Sequence, residues 1–207
     1  MGLLSLLLND PLTFVLLAIP LLYSIIIHEL AHGWVAYKMG DPTAKLLGRL
    51  SLNPLKHLDP IGTLMLFVFG FGWAKPVPVN FMNLREPRKG FVLVSAAGII
   101  ANTLLAFAAF LTNRILAPPP SGILSTLLYY LAQVNIMLAA FNLIPIPPLD
   151  GSKILIGFTS GGFQRFLISL ERYGFFIIIA LLYLDVLDPL IAFFRWMILM
   201  LIRLLLP

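Results

Sequence analysis

The seventeen residues from Pro11 to Ile27, PLTFVLLAIPLLYSIII, carry no charged side chain and lead directly into HELAH at residues 28–32. A helix that continues from there to Lys38 is long enough to cross a hydrocarbon core about 30 Å thick. The i, i+4 spacing of the two histidines places both imidazoles on one face of this helix, one turn apart. The stretch therefore predicts a membrane-spanning helix with a pair of metal-binding side chains near its C-terminal end.

The composition of the whole chain is that of a membrane protein. Of 207 residues, 60% are hydrophobic and 11% are charged, and the mean hydropathy is +0.98. Soluble domains contain about 25% charged residues. Long uncharged stretches recur at residues 91–113 and 121–149, without the alternating short strands of a closed barrel. We therefore expect an all-α polytopic membrane protein.

Charge and cysteine content exclude several other classes. The net charge of +5 comes from short basic loops between apolar segments, so nucleic acid is not an expected partner. The chain has no cysteine, which excludes disulfides and thiolate metal ligands. Any bound metal must be held by histidine and carboxylate side chains.

Apolar length predicts about five transmembrane helices. Three lie at about 11–38, 90–113 and 122–145, and two more at about 170–187 and 189–206.

The segment 59–73 is expected to enter the membrane and return, or to lie along its face. It holds only about fifteen apolar residues, which is short for a span. The loops on its two sides, 38–58 and 74–90, each carry four Lys or Arg residues, and such loops stay on the cytoplasmic side. A true span would place one of them outside. The same rule places the N-terminus and loop 114–121 outside.

Glu29 lies between the two histidines of HELAH. In that position it can take a proton from metal-bound water without ligating the metal. Ionisable groups in an apolar span are costly unless they have partners, and a zinc ion is such a partner. A catalytic zinc also needs a third protein ligand, for which His57, Asp59 and Asp150 are the candidates.

The surroundings of Asp150 favour it as the third ligand. It follows the sequence NLIPIPPL at residues 142–149, whose three prolines end the preceding helix and force an extended chain at membrane depth. Broken backbone at that depth is tolerated only where it lines protein or water. The alternative from the residues alone is that Asp150 caps the next helix.

HELAH at the end of a membrane helix and NLIPIPPLDG about 110 residues later resemble the motifs of the site-2 protease family of intramembrane metalloproteases. The resemblance covers roughly residues 10–158. It implies one zinc ion bound by His28, His32 and Asp150, with Glu29 as general base.

Other parts of the resemblance concern substrate binding. The family's asparagine ahead of the prolines matches Asn142, which implies that it steadies the scissile carbonyl or oxyanion; capping of freed backbone groups is the alternative. Gly98-Ile-Ile-Ala-Asn102 matches a glycine-proline-x-x-asparagine motif without its proline. This implies a substrate-site role for Asn102, and ordinary bonding between helices is equally open.

The proline-rich stretch KPVPVN at residues 75–80 predicts a short strand or β-hairpin near 59–80. It resembles the family's strand-forming loop. By that resemblance Val77, Pro78, Val79 and Asn80 would capture an unwound substrate segment by backbone pairing. A surface hairpin is the alternative.

These features predict a single intramembrane metalloprotease domain over residues 1–207, with a catalytic core at about 10–158 and C-terminal helices at about 165–207. The expected substrates are transmembrane proteins, cut within the lipid bilayer of the cell membrane, nearer its cytoplasmic side. No stretch is hydrophilic enough for a PDZ or nucleotide-sensing domain, so we expect a minimal form. The rival is a metal transporter or non-catalytic zinc-binding membrane protein, which would need no base beside its ligands.

Overall fold

The structure, a computed structural model, describes residues 3–69 and 72–207. The described residues form ten α-helices and no β-sheet. The helices are α1 (Leu3–Asn9), α2 (Pro11–Lys38), α3 (Thr43–Leu46), α4 (Pro60–Phe69), α5 (Pro87–Leu116), α6 (Ile123–Asn142), α7 (Asp150–Phe158), α8 (Gly161–Leu170), α9 (Gly174–Tyr183) and α10 (Asp188–Leu205).

Four helical stretches among the described residues are long and apolar enough to cross a membrane. Helices α2, α5 and α6 match the first three predicted spans. The fourth stretch, Gly161–Tyr183, joins α8 and α9 and begins earlier than predicted. The predicted fifth span, α10, is not among the four. The prediction of an all-α integral membrane protein is thus confirmed, while that of five spans is not.

Helices α2, α5 and α6 pack against one another, with α7 against α5 and α10 against α6. The contact between α5 and α6 includes Ala106, Ala139 and Ala140, all of which are fully buried. Small side chains allow membrane helices to approach closely. Helix α5 therefore lies at the centre of the bundle, beside both helices that carry the predicted zinc ligands.

Helix α4 has ten residues and is about 15 Å long, roughly half the hydrocarbon core. Its two flanks meet, because Leu58 and Ala74 form an antiparallel bridge and the Lys75 N–H donates to the His57 carbonyl at 2.8 Å. The chain thus returns close to the place from which it left, and whether the segment enters the membrane stays a prediction. Of that predicted segment, residues 70–71 lie outside the described residues.

The predicted β-hairpin is not confirmed. Within the described ranges, the bridge between Leu58 and Ala74 is isolated and residues 76–80 form no strand. Pro76 and Pro78 have no N–H for a strand ladder. The intervening N–H of Val77 donates to a side chain on α2 at 2.7 Å.

Candidate metal centre

Three buried side chains from α2 and α7 converge at the centre of the bundle. The Oδ2 atom of Asp150 lies 3.1 Å from the Nε2 atoms of both His28 and His32, and the two Nε2 atoms are 3.0 Å apart. These residues form a group that could hold a metal ion. The arrangement joins residues more than a hundred positions apart, as the motifs predicted.

The start of α7 brings Asp150 to the histidines of α2. The chain leaves α6 at Asn142, passes the three prolines, with a cis peptide bond between Pro147 and Pro148, and enters α7 at Asp150. A Cβ atom at Gly151 would lie 2.3 and 2.6 Å from the carbonyl oxygens of Leu143 and Ile144. Only glycine allows α7 to begin this close to the end of α6.

The other nitrogen of each imidazole faces an oxygen acceptor. The Nδ1 atom of His28 pairs with the Asn102 side-chain oxygen, and that of His32 with the Val94 carbonyl at 2.7 Å. Both rings therefore carry their proton on Nδ1 and present a lone pair at Nε2. This is the usual way in which a protein orients histidine ligands of a metal.

The cluster fits a zinc ion. Two Nε2 lone pairs and a carboxylate oxygen face one another, and within the described part of the chain Asp150 Oδ2 has no hydrogen-bond donor. Acceptors this close repel unless a cation lies between them. Bonds of 2.0–2.1 Å in a tetrahedral zinc site imply ligand separations of about 3.3 Å, close to those observed. A set of two histidines and one aspartate also leaves the fourth position open.

The remaining candidates for the third ligand lie elsewhere. Asp59 caps α4 by accepting the Gly62 N–H at 2.8 Å. His57 is buried and its Nε2 donates to the Ser51 carbonyl at 2.7 Å. Neither belongs to the metal-binding group of the described residues.

Asn102 lies behind His28, away from the cavity in which a substrate-binding residue was expected. Its amide donates to the Asn135 side-chain oxygen at 2.7 Å, and the Asn135 amide donates to Ser24 Oγ at 2.7 Å. All three polar side chains are fully buried. They form a chain of hydrogen bonds across α5, α6 and α2 that ends on the His28 ring.

A cavity of about 700 Å³ opens beside the metal-binding group. Of the predicted catalytic and substrate-binding residues, its lining includes Glu29, Asn142, Val77 and Val79. Pro78 and Asn80 belong to the same segment but are not among the described lining residues, and neither is Asn102. Most of the wall is apolar.

The segment from Lys75 to Asn80 is held against this cavity by its backbone. The Val77 N–H donates to Glu29 Oε2 at 2.7 Å, and the Lys75 carbonyl accepts from Arg49 at 2.8 Å. The Asn80 N–H donates to the buried carboxylate of Asp41 at 2.7 Å. The carboxylate of Glu29 is thus oriented by a backbone donor.

Comparison with known proteins identifies the family. The model of peptidase family M50 matches residues 114–184, which include Asp150. YwhC of Bacillus subtilis, named as a candidate zinc metalloprotease, is 44% identical over 173 residues, which are 80% of this chain and 78% of that protein. The chain belongs to the site-2 protease family, peptidase family M50. The protein is therefore an integral membrane zinc metalloprotease.

More distant relatives of this M50 protease carry similar names. Rip2 of Mycolicibacterium smegmatis, another candidate zinc metalloprotease, is 31% identical over 177 residues, covering 82% of this chain and 67% of that protein. Zinc metalloprotease MJ0392 of Methanocaldococcus jannaschii is 29% identical over 147 residues, covering 71% of this chain and 35% of its own length. No solved structure shows a significant match.

The sequence motifs of this M50 protease did not reveal two of its polar residues. Asp41 has no exposed surface and accepts from the Thr43 hydroxyl, the Asn83 amide at 2.8 Å and the Asn80 N–H. Ser95 lines the cavity. Asp41 lies between the end of α2 and Pro42, a position that is typical of a turn. Nothing in the sequence around Ser95 distinguishes that residue.

Proposed function

We propose that this zinc metalloprotease hydrolyses peptide bonds of transmembrane protein segments, with Glu29 as general base. The observation that carries the proposal is that Glu29 lines the same cavity as the metal-binding group and has one carboxylate oxygen fixed by the Val77 N–H. A general base must be within reach of the proton that it takes. The apolar wall of the cavity suits a substrate that comes from the lipid phase.

In this reaction His28, His32 and Asp150 would hold the zinc ion. When bound, zinc supplies a Lewis acid that polarises a carbonyl and makes a water molecule acidic. Glu29 takes the proton of the attacking water and transfers it to the leaving amine. Because Glu29 performs both proton transfers, the reaction needs no second acidic residue as proton donor.

Asn142 and the segment 77–80 complete the proposed substrate site. The Asn142 amide donates one hydrogen to the Leu138 carbonyl at 3.0 Å. Its second hydrogen is left for the scissile carbonyl or oxyanion, because an amide nitrogen has two. Val77 and Val79 line the cavity, so they contact the substrate bound there.

We further propose that residues 1–207 form one domain with five crossings and a catalytic centre nearer the cytoplasm. Helix α10 is the fifth crossing, because its 18 residues span about 27 Å. The guanidinium of its central Arg195 faces Gln133 of α6 at 3.3 Å, within the protein. Labelling of a cysteine at Arg49 from outside intact cells would contradict the orientation.

The deciding experiment compares wild type and Glu29→Gln for zinc content and for cleavage of a model transmembrane substrate. We expect equal zinc and a loss of cleavage of about 100-fold or more in Glu29→Gln. Glu86→Gln is the matched control, since Glu86 is exposed and pairs with Lys89. In the same assay Asn142→Leu and Val79→Pro are expected to lower cleavage without releasing zinc. A zinc-loaded wild type that cleaves nothing would favour the transporter or non-catalytic alternative.

A further inference from the structure

Ser95 of α5 is a buried polar residue that the reaction above does not use. The residue is only 1% exposed, and its Oγ atom has no hydrogen-bond partner among the described residues. It nevertheless lines the cavity that contains the metal-binding group and Glu29. A buried hydroxyl without a partner is costly, so its position calls for a physical reason.

Two other hydroxyl groups in the long helices bond to the carbonyl four residues earlier, an arrangement common for serine and threonine. Thr103, on the same helix as Ser95, donates to the Ile99 carbonyl at 2.8 Å. Thr126 of α6 donates to the Gly122 carbonyl at 3.1 Å. Ser95 does not make this bond to Phe91 in the described structure, so its hydroxyl donates to no group within the helix.

Ser95 also lies close to the reacting centre. The preceding residue, Val94, accepts a hydrogen bond from the His32 ring through its carbonyl. One turn later, Gly98 is the point at which α5 meets the imidazoles of His28 and His32. Residues three apart on a helix share a face, so Ser95 and Gly98 lie on the side of α5 that faces the metal ligands.

The stretch from Pro76 to Pro78, part of which lines the cavity, offers few hydrogen-bond donors. Pro76 and Pro78 have no N–H, and the N–H of Val77 is already bonded to Glu29. A substrate helix that unwinds for cleavage exposes its own carbonyl oxygens, and burying these without donors is unfavourable. A free hydroxyl on α5 would meet this need.

We propose that Ser95 Oγ donates a hydrogen bond to a main-chain carbonyl oxygen of the substrate segment bound for cleavage. This inference rests on the proposed function and adds a substrate-binding residue to it. Because the bond forms only with substrate present, Ser95 contributes to binding and not to folding.

The test measures binding without cleavage. Ser95→Ala is made in the full chain that also carries Glu29→Gln, and zinc content and thermal stability are recorded. The probe is a dye-labelled leucine-alanine transmembrane peptide with a central Asn-Pro break, titrated in nanodiscs. We expect binding to weaken roughly 3- to 10-fold, as for loss of one hydrogen bond, with zinc content and thermal stability unchanged. Thr103→Val, which removes a hydroxyl already bonded within the helix, should leave the dissociation constant unchanged.

Two outcomes would overturn the role of Ser95. One is an unchanged dissociation constant in Ser95→Ala. The other is a loss of thermal stability in step with the loss of binding, which would mark Ser95 as structural. Failure of the proposed function has a different signature, because a zinc-loaded wild type would then leave the peptide intact while Ser95→Ala still bound it more weakly.

Discussion

Gly98 is the position at which a single added carbon atom should release the metal. A Cβ atom there would lie 2.5 and 2.6 Å from Cε1 and Nε2 of His28 and 2.6 Å from Nε2 of His32. These separations are about 0.8 Å shorter than an ordinary contact, so in Gly98→Ala the imidazoles or α5 must move by that amount. Elsewhere in a helix, the same substitution would stabilise the protein by about 0.5–1 kcal/mol.

The expected loss of zinc affinity follows from the size of this movement. Zinc ligands tolerate displacements of about 0.2 Å. Changes that only disturb the residues supporting a ligand already weaken metal binding 10- to 100-fold. Because Gly98→Ala displaces the ligands themselves, we expect zinc binding to weaken by at least about 100-fold, which corresponds to about 2.8 kcal/mol.

The assay is competition for zinc with a chromophoric chelator in detergent, together with circular dichroism to follow helix content. Gly162→Ala in α8 is the matched control, because a Cβ atom at Gly162 meets no described atom within 4 Å. We expect wild-type zinc affinity for this control and wild-type helix content for both variants. A wild-type zinc dissociation constant in Gly98→Ala, or an equal loss in Gly162→Ala, would refute the steric reasoning.

Three other substitutions test the remaining parts of the site. Asp150→Ala should lose most bound zinc by elemental analysis, whereas Asp59→Ala, which removes only the cap of α4, should keep it; zinc retained in Asp150→Ala would exclude that ligand. Asn102→Ala should weaken zinc binding about 10- to 100-fold by leaving the His28 ring unoriented, and an unchanged affinity would show that the ring needs no such support. Burial raises the pKa of the Asp41 carboxyl, but hydrogen bonds from Thr43, Asn83 and the Asn80 N–H hold it below its ordinary value. Its stabilising effect is therefore present above about pH 4 and is lost as the pH falls further. Melting temperatures across this range should fall less steeply for Asp41→Asn than for wild type, and identical slopes would contradict the assignment.

Much of the fold and of the metal centre could be predicted because the relevant signals are local. Uncharged stretches of sufficient length predicted α2, α5 and α6 within a few residues. The predicted fifth span, α10, contains charged residues, among them Arg195, and is not among the four candidate membrane-spanning stretches of the described residues. The alternation of valine and proline at 76–80 suggested a strand, but a strand needs a partner, and the Val77 N–H found Glu29 instead.

The sequence by itself determined that His28 and His32 share a helix face, that Glu29 lies between them, and that the chain before Asp150 cannot be helical. These follow from the period of the α-helix and from the missing N–H of proline, which hold wherever the segments lie. Only the tertiary structure decided that Asn102 supports His28 from behind, that Asp41 anchors the segment after α4, and that Ser95 faces the cavity unpaired. Those positions depend on how α2, α5 and α7 pack together. Contacts between elements that are distant in the sequence produce no periodic pattern of residues near each contact, so the sequence could not predict them.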